Sequence, residues 1–125
     1  MESMSARAFL VFQLREAGRS DLLALIRNYE RSGALPAGRY LTGIEICRYL
    51  EQIGKKKPSN RVPLVNPDET QVEMMDSLWR KYRATQLETG RAFEETHPDL
   101  RALTMVEEIH AWEDWACEQL GVKVA

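Results

Sequence analysis

The feature that most constrains the fold is the segment from Lys55 to Pro67, which holds three of the five prolines in the chain. Proline lacks a backbone N–H donor and restricts the residue before it, so this segment cannot form a regular helix. The segment also separates a basic half from an acidic half. Residues 1–65 carry eleven Lys and Arg against six Asp and Glu, a net of +5, whereas residues 66–125 carry six against thirteen, a net of −7. The two halves either neutralise each other in the fold or each attract an external partner of opposite charge.

Apolar residues recur at helical spacing on both sides of this segment. In the second element, Ser20 is the predicted N-cap, Gly33 is the predicted stop, and the apolar residues between them form one stripe. The S/T-x-x-E form of a capping box occurs at Thr42–Glu45 and at Thr104–Glu107. We predict helices over residues 6–17, 20–33, 42–54, 67–89 and 104–121.

For two of these predicted helices, the sequence allows an alternative structure. Residues 8–14 are compatible with a helix or a buried strand, and we favour a helix because no partner strand is evident elsewhere. The fourth helix is predicted to begin with Asn66 as N-cap and Pro67 at the first position. Gly90 either breaks this helix or bends it, and residues 91–96 then add a further turn or two.

These patterns predict an all-α fold. At 125 residues the chain is long enough to bury a core as a single helical domain over residues 1–125. We expect a small bundle of four to five helices with one long Pro-rich loop, residues 55–67. Long loops without secondary structure are often functional, so if any region contacts a polyanion, we expect it to be this loop.

Composition narrows the classes of function. The longest apolar run, Ala8 to Phe12, is five residues, too short for a membrane span or a secretion signal, so we predict a cytoplasmic protein without a membrane partner. The two cysteines, Cys47 and Cys117, belong to no C-x-x-C pair and are interpreted as thiols in a reducing compartment, with a single disulfide between them as the alternative.

The histidines give little support for metal chemistry. Glu and His are spaced for one metal ion at Glu94–His97 and again at Glu107–His110. However, His97 precedes a proline, and two bundle helices could not bring both pairs together across so short a connection. We therefore predict no metal or other cofactor, and we expect His110 to lie on a solvated acidic surface. Since no nucleophile–base pattern, P-loop or dinucleotide motif is present, we predict that the protein is not an enzyme.

Binding another macromolecule is the function we predict instead, as an adaptor, inhibitor or assembly subunit of the kind found among bacterial and phage accessory proteins. The last helix carries five acids and no Lys or Arg between Thr104 and Gly121. Tryptophan is frequent at binding hot spots, and an acidic rim attracts a basic protein partner. The predicted partner-binding residues are Glu108, Trp112, Glu113, Asp114 and Trp115.

The alternative is a helical nucleic-acid-binding subunit that uses the basic half. Lysine clusters contact phosphates, and the interleaved Tyr40 and Tyr49 would stack on bases. Against this, Pro63 interrupts the place where a recognition helix would follow the third helix. The polyanion-binding residues in this interpretation are Arg48, Lys55, Lys56, Lys57 and Arg61. The charge asymmetry also leaves self-association into a homo-oligomer open.

Overall fold

The computed structural model describes residues 4–36, 39–56, 62–96 and 105–122, with the backbone alone at residues 56, 87–96 and 105. Its five helices are α1 (Met4–Glu16), α2 (Ser20–Arg31), α3 (Gly43–Lys56), α4 (Glu69–Thr96) and α5 (Met105–Gln119). No strand occurs in these ranges, which confirms the predicted all-α fold and the helix over residues 8–14. Of the Pro-rich segment, residues 57–61 lie outside the description and residues 62–68 are neither helix nor strand.

Helix α1 lies at the centre of the fold and contacts each of the other four helices. Every residue from Ser5 to Val11 is buried, because a helix with partners on all sides has no solvent-exposed face. One group of core side chains joins α1 to α4 and α5 and includes Phe9 and Trp112. A second group joins α1 to α2 and α3 and includes Leu14 and Ile26. Helices α1 and α2, which belong to the basic half of the chain, both contact the acidic helix α5.

The capping interactions at the helix starts agree only partly with the sequence predictions. The capping box of α3 is confirmed, since the Glu45 backbone N–H donates to Thr42 Oγ1 at 3.2 Å and the Thr42 N–H donates to Glu45 Oε1 at 3.4 Å. For α2 the prediction is wrong, because Ser20 is the first helical residue and the N-cap is Arg19, whose side chain makes no capping bond.

Helix α4 begins later and ends later than predicted. Its N-terminal box is formed by Asp68 and Gln71, each side chain accepting from the backbone N–H of the other at 2.8 and 2.9 Å. Asn66 is therefore not the N-cap. The helix continues through Gly90 to Thr96, so the glycine does not end it. The predicted stops at Gly33 and Gly121 are confirmed by their left-handed backbone, with φ of 87° and 79°.

None of the described helices combines the length and the apolar character that crossing a membrane requires.

Candidate functional site

Two of the residues predicted to bind a partner through the last helix lie in the protein interior. Trp112 has no exposed surface, and its ring meets Trp79 edge to face with the centroids 5.0 Å apart. Glu113 is also buried. Adjacent helical residues point about 100° apart, so α5 is buried over a wider face than the single predicted stripe. Trp112 and Glu113 belong to the core rather than to an exposed face.

Glu113 is buried because it meets a buried cation from the other end of the chain. Arg7 of α1 has no exposed surface and donates from Nε to Glu113 Oε1. Its Nη1 donates to Glu30 Oε2 at 2.6 Å and to the Leu41 carbonyl at 2.7 Å, and its Nη2 donates to Glu30 Oε1 at 3.0 Å. Isolated charges are costly in the interior, and this arrangement gives each of the three charges a partner.

Glu30 of α2 connects this pair to His110. Its carboxylate accepts from the Leu41 N–H and is 2.8 Å from His110 Nε2. Burial raises the pKa of Glu30, but the hydrogen bond from His110 and the charge of Arg7 outweigh burial and hold that pKa below its ordinary value. Because an ionised carboxylate only accepts, the proton between the two groups is on His110 Nε2.

The expected position of His110 on a solvated acidic surface is wrong. The side chain is buried, and its partner is Glu30 of α2 rather than water. A helical wheel of α5 could not reveal this, because the wheel shows which residues share a face but not which neighbouring helix covers that face.

A second layer of ion pairs surrounds this network. Nη2 of Arg27 in α2 donates to the His110 carbonyl, to Glu113 Oε2 and to Asp114 Oδ1, at 3.2, 3.1 and 2.9 Å. Arg15 of α1 also pairs with Asp114. Three arginines of α1 and α2 thus face Glu30 and two acids of α5, so the basic half forms ion pairs with the acidic half at this interface.

The other residues of the predicted acidic surface also contact side chains of a neighbouring helix. Glu108 pairs with Arg83 of α4 at the surface. Trp115 is half-buried at the edge of the core, with its ring centroid 5.6 Å from that of Tyr82. The five residues predicted to form one partner-binding patch therefore divide between the core, the ion-pair layer and the α4–α5 seam.

The basic residues of the alternative prediction belong to α3 and to the sequence that follows it. Arg48 and Lys55 are exposed on α3, and Lys55 Nζ is 3.9 Å from Glu51. Lys56 is the last residue of α3, whereas Lys57 and Arg61 lie outside the described residues.

The two tyrosines expected to stack on nucleic-acid bases already have partners. The Tyr49 ring stacks on Tyr29 with the centroids 4.9 Å apart. The Arg7 guanidinium carbon is 5.3 Å from the centroid of the Tyr40 ring, a cation–π distance. Both rings are half-buried, and one face of each is already covered by a neighbouring side chain.

An open groove of about 420 Å³ lies between α3 and the segment that follows it, here called the α3 groove. It is lined by Cys47, Leu50, Glu51, Val62, Pro63 and Leu64. Next to it, Val65 is 68 % exposed, yet its backbone N–H and C=O are both hydrogen-bonded to the side chain of Gln13, at 2.9 and 2.6 Å. Those two bonds anchor this wall of the groove to α1.

One exposed row of α3 borders the groove. Ile44, Arg48, Glu51 and Lys55 are spaced four, three and four residues apart, so they share one side of the helix. Ile44 is 51 % exposed. The groove edge thus combines apolar surface with two cations and one acid.

In the described part of the chain, the cysteines and histidines give little geometric support for metal binding or thiol catalysis. No group of three His, Cys, Asp or Glu side chains there could hold a metal ion. His97 of the first Glu–His pair lies outside that part. Burial raises the pKa of the Cys117 thiol to about 11, so the thiol is neutral.

Sequence reasoning missed the centre of the ionic network. Arg7, Glu30 and Arg27 were not predicted as a group, because each comes from a segment that is ordinary by itself. One signal was present: Arg7 adjoins the apolar run Ala8–Phe12, where a charge must either be exposed or find a buried partner.

Comparisons of the chain with protein-family models, with curated proteins and with solved structures yield no match.

Proposed function

We propose that this protein is a non-catalytic binding module that recognises another protein through the α3 groove. The observation that carries the proposal is the pairing of an open apolar groove with exposed apolar side chains and cations at its edge. Ile44 and Val65 are two of the four large apolar side chains that are exposed in the described part of the chain. Val65 directly follows the lining residue Leu64, and Ile44 lies one helical turn before the lining residue Cys47.

Burial of these side chains would provide the free energy of binding. Covering apolar surface yields about 25 cal/mol for each Å² removed from water. The groove wall at Val65 is held by Gln13, so little backbone ordering would oppose binding. A partner needs apolar side chains that fill the groove.

The charges beside the groove specify the partner further. On the exposed row of α3, the cations Arg48 and Lys55 outnumber the single acid Glu51. Opposite charge at the rim of an interface accelerates association and excludes like-charged partners. We therefore propose an acidic protein segment with apolar side chains as the occupant.

A nucleic-acid partner is the competing occupant, since it would use the same cations. Single-stranded nucleic acid binds largely by stacking its bases on exposed aromatic rings. Tyr40 and Tyr49 are occupied by Arg7 and Tyr29 in this fold, which favours a protein partner.

Site-specific photo-crosslinking tests the proposal. A photoreactive amino acid replaces Val65 in one variant and Leu25 of α2 in the other; Leu25 is also exposed, at 39 %, but does not line the groove. We expect protein adducts in cells from position 65 and not from position 25. The crosslinked segments should be rich in Asp, Glu and apolar residues. Adducts to nucleic acid, or equal yields at both positions, would refute the proposal.

Variants that change the charge or the shape of the groove provide a second test of the proposal. Val65→Glu and Arg48→Glu should each reduce capture of the crosslinked partner, and Arg39→Glu, which introduces the same charge change elsewhere, should not. Capture should also fall in 1 M salt, because the rim charges are screened. A capture unchanged by Arg48→Glu and by salt would exclude the charge component.

A further inference from the structure

A second depression, of about 210 Å³, lies along the outer side of α2. Its polar lining residues are Arg15, Ser20, Arg27, Asn28 and Arg31. Four of these residues, from Ser20 to Arg31, belong to α2. They are spaced seven, one and three residues apart, so they follow one side of the helix over three turns. The described residues that line it include three cations and no carboxylate.

Two of the arginines are held in place by contacts with α5. Arg27 is oriented by its three bonds to α5, and Arg15 by its ion pair with Asp114. Their side chains are 13 % and 4 % exposed. Guanidinium groups that are already held in place lose little conformational entropy when a ligand binds.

These arginines are not fully satisfied by the protein. The Nε atoms of both Arg15 and Arg27 are buried and have no hydrogen-bond acceptor in the described part of the chain. A buried donor without an acceptor costs free energy. In addition, Arg27 and Arg31 are like charges four residues apart on one helix, which destabilises the helix. A bound anion would relieve the repulsion between Arg27 and Arg31.

Charge balance points the same way. Arg7, Arg15 and Arg27 face three carboxylates, Glu30, Glu113 and Asp114, so these charges balance. Arg31 is exposed and forms no ion pair with another described residue, so its positive charge is available to an anion.

From these observations we infer that the arginine-lined depression on α2 binds a phosphate group, free or as a small monoester. Arginine forks match the oxygen geometry of phosphate, and Ser20 and Asn28 provide neutral donors beside them. This site is separate from the α3 groove and does not depend on the function proposed for that groove.

The test is a titration of the full chain with inorganic phosphate and with glycerol phosphate, each at fixed ionic strength against sodium chloride. Amide NMR shifts and calorimetry report binding. We expect saturable binding with shifts grouped at residues 15, 20, 27, 28 and 31. Tighter binding of glycerol phosphate would identify a monoester as the ligand, and tighter binding of inorganic phosphate would identify the free ion. Phosphate shifts no larger than those from chloride would overturn the inference.

Surface variants separate a defined site from general charge attraction. Arg31→Gln should weaken phosphate binding about tenfold, the effect of one lost charged contact. Ala24→Glu, at an exposed position of α2 that also lines the depression, places a carboxylate among the arginines and should abolish binding while the protein stays folded. Arg39→Gln, with the same loss of charge in the loop before α3, should bind like the parent. Equal affinities of the Arg31 and Arg39 variants would overturn the inference.

Discussion

Arg7 and Glu113 are 106 positions apart in the chain and form an ion pair in which neither side chain has any exposed surface. The pair joins the central helix α1 to the last helix α5. Such a pair is not necessarily a net source of stability, because both charges leave water. Its clearer consequence is specificity: any packing that separates α1 from α5 leaves buried charges without partners.

Replacement of Arg7 should destabilise the protein strongly. In Arg7→Met, the carboxylates of Glu30 and Glu113 stay buried but lose their shared cation. Removing one partner of a buried ion pair costs about 3–5 kcal/mol. We expect a loss of that size in the free energy of unfolding, measured by urea denaturation. As a control, Arg39→Met breaks the exposed pair with Glu45, and pairs of that kind contribute at most about 1 kcal/mol.

A triple variant separates charge from packing. Arg7→Met combined with Glu30→Gln and Glu113→Gln removes all three charges and leaves no carboxylate unpaired. It should therefore be more stable than Arg7→Met alone. A triple variant that is less stable than the single one would mean that lost packing, not unpaired charge, dominates.

Acid should destabilise the fold through Glu30. Its pKa is about 4.5 in the unfolded chain and lower in the folded protein. The stabilisation from its ionised form is therefore complete above the unfolded value and is lost as the pH falls through the folded value. We expect the free energy of unfolding to decline with falling pH below about 4.5.

The variant Glu30→Gln tests this assignment in the same denaturation series. It should be less stable at pH 7 and should show a shallower decline below pH 4.5. Glu118→Gln removes one carboxylate from an exposed position of α5 and serves as the charge-matched control. An unchanged pH slope in Glu30→Gln would show that other carboxylates cause the decline.

The helices could be predicted from local signals, but the ionic network could not. The Thr42–Glu45 box and the glycines at 33 and 121 mark helix ends through interactions within a few residues, which the sequence displays directly. The contacts of Arg7 join residues 23 and 106 positions apart. Nothing in the spacing of charges along the chain states which helix faces will meet. The same limit explains why α5 was predicted with one buried stripe although α1 and α2 cover more of it.

The α3 groove includes residues of the Pro-rich segment that the sequence predicts to be a contact region, and that prediction awaits a binding experiment. The sequence indicated its cations, but not its apolar wall. That wall depends on the bonds between Gln13 and Val65, which are 52 positions apart.

The corrected start of α4 gives a simple test. Asp68→Ala removes the side chain that accepts from the Gln71 N–H, and loss of an N-cap costs about 1 kcal/mol. Asn66→Ala should change the free energy of unfolding by much less, because Asn66 lies before the helix and outside the box. Urea denaturation of the two variants measures the difference. A larger loss for Asn66→Ala would return the N-cap to the position first predicted.

The two cysteines should differ in reactivity. With a pKa of about 11, Cys117 is about 0.1 % thiolate at pH 8, and its side chain is buried, so a thiol reagent should not reach it in the folded state. Cys47 lines the α3 groove and is half-buried. Ellman's reagent should therefore modify one thiol per chain under native conditions and a second only in denaturant. In Cys47→Ser the native reaction should disappear, whereas rapid native modification of that variant would mean that α5 separates readily from the core.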